Sequence, residues 1–254
     1  MRIVVKVGTS TLAHPTGHLN IRRVKLLCKV LSDIKNAGHE VILVSSGAIG
    51  MGVGKLGLLG RPEDIPTKQA AAAVGQCELM YTYDKLFSEY NHTVAQLLIT
   101  GDDVASDKRR GNFINTMYRL LELQALPILN ENDTVSTDEI VIGDNDTLAA
   151  IVATSVGADK LVLLSDIDGL YTADPHTDPN AKLIAHISAI SPDVLALAGA
   201  SASTQGTGGM ITKLRAAAMC LDAGCEMVIC NGAEPENLYA VLEGQTIGTK
   251  FSKE

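Results

Sequence analysis

The sequence predicts an α/β fold with a mainly parallel sheet covered on both faces, and two patterns carry that prediction. Apolar strand-like runs alternate with helical stretches along the chain, and the strands are nearly all apolar instead of half polar. A strand buried on both faces reads as a continuous hydrophobic run, and βα alternation supplies the helices that cover it. Composition agrees, since 46% of residues are hydrophobic but only 4% aromatic, with no Trp, so Ala, Val, Leu and Ile must fill the core.

In chain order, the first strand runs from Ile3 to Val7 and is followed by a helix from Asn20 to Ala37, with Gly38 at its C-cap. The second strand, Val41 to Val44, leads to a helix from Thr67 to Tyr90, whose first turn takes Pro66 without losing a needed donor. Next come a strand from Val94 to Leu98, a helix from Asn112 to Leu123, and a strand at Ile128 to Leu129 introduced by Pro127. A helix from Asp146 to Val156, capped by Asp144 or Asn145 and closed by Gly157, precedes the strand Leu161 to Leu164. The helix Met210 to Ala223 and the strand Met227 to Ile229 complete the pattern. Between Asp166 and Gly209, Pro175, Pro179, Pro192 and a polar run before Gly209 predict long loops with short elements between them. Long loops at the end of a parallel sheet are candidates for ligand binding.

The 254 residues suit one domain spanning 1–254, with no low-complexity linker and no repeat. With 21 Lys and Arg against 29 Asp and Glu, the net charge is -8, which argues against a broad nucleic-acid footprint but allows a locally positive pocket. No apolar run reaches the ~18 residues of a membrane span, and the start reads as a strand instead of a signal peptide, so a cytoplasmic chain is expected. The five cysteines, at 28, 77, 220, 225 and 230, contain no CxxC pair and read as reduced thiols.

Several loops carry chemistry. Lys6, in Lys6-Val7-Gly8-Thr9-Ser10, stands among apolar strand residues, where an ammonium is costly unless its stem runs through the sheet edge and its head meets an anion such as phosphate, or the side chain simply snorkels beside an ordinary turn. The second strand enters Ser45-Ser46-Gly47-Ala48-Ile49-Gly50, whose small residues let backbone amides approach an anion or simply make a tight turn. Gly52-Val53-Gly54-Lys55-Leu56-Gly57 fits a bare GxGxxG pattern, but it lies too far beyond its strand and lacks the later acidic residue of a dinucleotide site. The region instead reads as a Gly-rich loop, either mobile and closing or a plain surface connection. Within Asn130-Glu131-Asn132-Asp133-Thr134 and Gly143-Asp144-Asn145-Asp146, Asp133 suits an ammonium and Asn145 a carboxylate. Asp146 suits lysines or an ion, although Asx-turns and helix caps use the same residue types. Ser165 and Asp166 form a polar pair suited to a nucleotide at the end of their strand, ahead of Gly169-Leu170-Tyr171-Thr172-Ala173-Asp174-Pro175. Gly206-Thr207-Gly208-Gly209-Met210-Ile211-Thr212-Lys213 places glycines before a helix that carries Lys213, which either follows charge moving between phosphates or is a solvent-facing helix residue.

These motifs, in this order and over nearly the whole chain, resemble the amino acid kinase family, most closely its glutamate-phosphorylating members. The resemblance implies a three-layer αβα sandwich with a mainly parallel central sheet, ATP with Mg²⁺, and phosphorylation of L-glutamate on its side-chain carboxylate in proline synthesis. It implies that Lys6 and Lys213 stabilise the transferring phosphoryl group, that Asp146 organises them, and that Ser46, Gly47, Asp133 and Asn145 hold glutamate. Nucleotide contacts would come from Lys6, Gly8, Ser165, Asp166, Thr207, Gly208, Gly209, Met210, Ile211, Thr212 and Lys213, with the metal ligands unassigned. A homodimer or homotetramer is implied, as is coupling to the next proline-pathway enzyme, with no nucleic acid or membrane partner. Many members carry a C-terminal RNA-modification-type (PUA) module, and the expectation here is a chain without one. Alternative readings are another carboxylate or carbamate kinase of this fold, or a non-catalytic nucleotide or amino-acid sensor. A segment from Gly50 to Gly60 that closes over the acyl phosphate and excludes water would protect it from hydrolysis.

Overall fold

The computed structural model describes residues 1–14, 18–135, 144–175, 177–199 and 209–253. Its strands are β1 (Arg2–Val7), β2 (Glu40–Ser45), β3 (Val94–Ile99), β4 (Leu126–Glu131), β5 (Lys160–Ser165), β6 (His186–Ile187), β7 (Glu226–Asn231) and β8 (Thr249–Phe251). They form one sheet in the order β3-β4-β2-β1-β5-β7-β8-β6, in which only the β7–β8 pairing is antiparallel among the described residues.

Alternation along each strand sends successive side chains to opposite faces. Val4, Ile42, Val44, Leu161, Leu163, Met227 and Ile229 face one layer of helices. That layer includes α6 (Asp107–Glu122), α7 (Asn145–Ser155), α8 (Pro192–Gly199) and α9 (Met210–Ala223), joined by the short α5 (Gly101–Ala105). Ile3, Val5, Leu43, Ile128, Val162 and Val228 face the other layer, formed mainly by α2 (Ile21–Asn36), α4 (Ile65–Ser88) and α10 (Asn237–Leu242). Fully burying one such aliphatic side chain is worth about 1.5–3 kcal/mol, so the two-faced sheet is the main source of stability. Among the described residues, no helix is long and apolar enough to cross a membrane.

Helix limits follow local chemistry. Asn20 caps α2 by accepting from Arg23 N, and Asp64 caps α4 by accepting from Thr67 N at 2.9 Å, with Pro66 in the first turn. Asp144 caps α7 by accepting from Asp146 N at 2.7 Å and Thr147 N at 2.8 Å. Helix α6 starts earlier than Asn112, because Ser106 caps it at Asp107. Gly38 and Gly157 adopt positive φ after α2 and α7.

Two expectations are corrected. Gly50 to Gly60 is not a closing loop through its length, because Ala48–Leu56 forms helix α3; the short α1 (Thr9–Leu12) comes earlier, between β1 and α2. The glycines permit a close helix crossing: a Cβ on Gly52 would lie 1.8 Å from the Ala71 carbonyl oxygen, and one on Gly75 would lie 1.7 Å from that of Ala48. Nor does Lys6 run through a sheet edge. Strand β1 lies between β2 and β5, with Lys6 registered against Val44 and Leu163.

Candidate active site

Because β1, β2, β4, β5 and β7 are parallel, their C-terminal ends open on one rim of the sheet, the usual place for ligands in such folds. Lys6 lies two residues beyond Val4 and therefore points to the face covered by α7 and α9. Its Nζ is 2.6 Å from Asp146 Oδ1. From α9, Lys213 Nζ donates to Asp146 Oδ2 at 3.0 Å, and Thr212 Oγ1 lies 3.0 Å from the same oxygen while also bonding the Gly209 carbonyl. Asp146 is only 1% exposed. Burial alone would raise its carboxyl, but the charges of Lys6 and Lys213 outweigh burial and hold it at about 2. Two buried ammonium groups converge on this carboxylate, an arrangement suited to phosphoryl oxygens.

Beside this centre lies a second group of polar side chains. Asn145, at the start of α7, donates through Nδ2 to Ser46 Oγ at 2.7 Å, to Asn130 Oδ1 at 3.0 Å and to the Ser45 carbonyl at 3.4 Å. Asn130 Nδ2 donates to Gln76 Oε1 at 2.9 Å. Gly47 has φ +104°, the left-handed conformation that turns β2 into α3 and that L side chains rarely adopt. Asp133, in the turn after β4, has its carboxyl raised to about 6 by burial first and the charge of Glu131 second, with Arg61 opposing. Such a group retains affinity for a cation at neutral pH while losing it under mild acidity.

On the other side of β1, Ser165 Oγ donates to Asp166 Oδ1 at 3.2 Å, and Gly232 N donates to the Ser165 carbonyl at 2.7 Å. Gly8 follows β1, and a Cβ there would stand 3.6 Å from Lys6 Nζ, an ordinary contact, so packing in the ligand-free protein does not require glycine. Gly209 is the N-cap of α9. Met210 turns its side chain into the core whereas Ile211 is exposed, so any contact from Met210 to an anion is through its backbone amide. Thr207 and Gly208 lie outside the described residues, as does Gly143. No cluster of three His, Cys, Asp or Glu suited to a metal occurs among the described residues, and both Asp146 oxygens already meet lysines. A Mg²⁺ ion carried on nucleotide phosphates needs few protein ligands and is compatible with this set.

No role was expected of Gln76, Asn130, Ser45 or Tyr83, whose hydroxyl lies 2.8 Å from Ser45 Oγ. Gln76 shares the buried stripe of α4 with Leu79, Tyr83 and Leu86, and a glutamine at such spacing is the signal that identifies it. All five cysteines are free thiols, and only Cys77 is exposed.

Residues 1–231 match the profile of the amino acid kinase family. The chain is 52% identical to a glutamate 5-kinase of Clostridium perfringens, across 98% of this chain and 94% of that protein. It is 50% identical to a glutamate 5-kinase of Listeria monocytogenes, across 99% of this chain and 92% of that one. Among solved structures, a carbamate kinase from Giardia lamblia bound to AMP-PNP aligns with a TM-score of 0.70 and 18% identity, over 100% of this chain and 98% of that chain. A UMP kinase from Ureaplasma parvum aligns at 0.68 with 17% identity, over 99% and 98%. At these identities the structural likenesses bear on the fold alone, and they agree with the sheet and its two helical layers.

Proposed function

The chain belongs to the amino acid kinase family, and from that premise we propose that it transfers the γ-phosphoryl group of ATP to the side-chain carboxylate of L-glutamate. The products are ADP and L-glutamyl 5-phosphate, and the reaction is the first step of proline biosynthesis. The observation that carries this reading is the buried cluster of Lys6, Asp146 and Lys213, with Asn145, the residue before Asp146, hydrogen-bonded to Ser46.

The attacking carboxylate is already ionised near neutral pH, so no strong base is required. The obstacle is repulsion between two anions and the movement of negative charge during transfer. Lys6 and Lys213 oppose that repulsion, and Asp146 holds both ammonium groups at fixed positions so that little reorganisation is needed as charge moves. Backbone amides at the start of α9 face the same charge. ATP enters as its Mg²⁺ complex, whose metal neutralises phosphate charge. Ser46, Asp133 and Asn145 hold glutamate, and Ser165, Asp166, Gly8 and the residues from Thr207 to Lys213 hold nucleotide. The enzyme works in the cytoplasm as a homodimer or homotetramer, an assembly that sedimentation reads directly.

The test is ADP release by the purified chain with Mg²⁺ATP, with and without L-glutamate, and in parallel with aspartate, acetylglutamate and carbamate. Release that depends on glutamate above the other acids is expected. Binding of ATP and glutamate without ADP formation would assign the site to a sensor instead.

A further inference from the structure

Hydrogen-bond direction in the amide pocket is set by the protein before any ligand arrives. A side-chain amide has a donor end and an acceptor end of similar size, and only its neighbours decide which way round it sits. The Glu131 backbone N–H can only donate, and it lies 2.9 Å from Asn130 Oδ1, so that end of Asn130 is the carbonyl. The other end donates to Gln76 Oε1. The Asn145 atom facing Asn130 Oδ1 must therefore be a donor, and the Ser45 carbonyl facing the same atom makes the same demand. Two N–H groups on Asn145 then serve three protein oxygens, the shortest bond being the one to Ser46 Oγ at 2.7 Å.

Two consequences follow for a ligand. Ser46 Oγ accepts from Asn145, so the serine proton is available as a donor. Asn145, with Nδ2 engaged, meets a ligand through its carbonyl oxygen, an acceptor. We propose that Asn130 and Gln76 are positioning residues that relay a polarity fixed by the Glu131 N–H, Asn130 presenting its carbonyl to Asn145 and Gln76 holding the amino end of Asn130 in place, so that the Ser46 hydroxyl donates to a carboxylate of glutamate and Asn145 Oδ1 accepts from its ammonium. The assignment reverses the carboxylate role expected of Asn145 and places it with Asp133 as a receptor for positive charge. Gln76 is held to the task by its neighbour Gly75, whose close approach to the Ala48 backbone fixes α4 against the β2–α3 turn that carries Ser46. The identity of the ligand rests on the glutamate reading above, whereas the direction of the hydrogen bonds does not.

Neutron diffraction from deuterium-exchanged crystals of the ligand-free protein reads that direction. Deuterons are expected on the Asn145 atom facing Ser46 and Asn130, and on the Asn130 atom facing Gln76. The opposite arrangement overturns the proposal whatever the protein phosphorylates. Kinetics supply the second arm. Gln76→Met removes the acceptor at similar volume and is expected to raise KM for glutamate by at least ~10-fold, with kcat and KM for ATP changed less than about twofold. Gln76→Asn retains an amide acceptor without adding charge beside the substrate's carboxylates, and is expected to give a glutamate KM at least about threefold lower than that of Gln76→Met. An unchanged glutamate KM in Gln76→Met, or equal damage in the two variants, overturns the positioning role. Absence of glutamate-dependent ADP release in the wild type would instead remove the substrate assignment, leaving the neutron result to decide the polarity.

Discussion

Each oxygen of Asp146 pairs with a different lysine, which in the proposed reaction makes it the residue that organises the phosphate chemistry. Replacing Lys213 with Ala is expected to lower kcat by at least ~10²-fold, about 2.7 kcal/mol of transition-state stabilisation, in steady-state assays. Near-normal turnover would remove Lys213 from the mechanism. The carboxyl of Asp146 is held at about 2, below the ordinary value of 3.8. Its contribution to stability is therefore complete above the ordinary value and is lost as pH falls through the folded one. Acid unfolding followed by circular dichroism should show this loss between about pH 4 and pH 2 in the wild type and not in Asp146→Asn. Asp133 lies on the opposite side of its ordinary value, at about 6. Protonation below that value removes the negative charge that the proposed reading directs to the ammonium of glutamate, so on that reading kcat/KM for glutamate should fall as pH drops below about 6. Glu131→Gln, which removes the second cause of the rise, should move that inflection to lower pH. These residues were legible because a charged or amide group beside an apolar strand needs a partner. Gln76 and Asn130 were not assigned roles, because they act on the pocket through other side chains.

At the scale of elements, α3 separates local propensity from tertiary packing. Its sequence, with Gly50, Gly52 and Gly54 in one short stretch, reads as a loop, since each glycine costs a helix ~1 kcal/mol relative to Ala. What offsets that cost is the crossing of α3 with α4, which only small residues allow, and neither helix announces the other in its own sequence. Gly75→Ala tests this, because the added methyl must displace the Ala48 carbonyl or the Gly52 amide. A stability loss of roughly 1–3 kcal/mol is expected in thermal or denaturant melts, with a rise in glutamate KM as the β2–α3 turn shifts. An unaltered melt would mean that the crossing adjusts without strain. The longer elements, α2, α4, α7 and α9, emerged within a few residues of their limits because caps and apolar periodicity mark them. Strands β6 and β8 are two and three residues long, too short for periodicity to register.

Across the whole molecule, the α/β class and the parallel sheet were legible from alternation alone, but strand order was not, since it depends on pairings between residues far apart in sequence. That order divides the rim of the sheet, with β2 and β4 under the amide pocket, β5 under the Ser165–Asp166 pair, and β1 between them carrying Lys6. Binding on the two sides should accordingly be separable. Asp133→Ala is expected to lose glutamate use while retaining a non-hydrolysable ATP analogue in titration calorimetry, and equal loss of both would indicate a folding defect. Lys6, Asp146 and Lys213 enter the chain near its beginning, middle and end, and meet only where β1 pairs with β5 and α7 packs on α9. During synthesis, a polypeptide that has not yet produced α9 lacks one of the two cations, so the lysine pair, and with it the proposed phosphotransfer, is completed only late in translation.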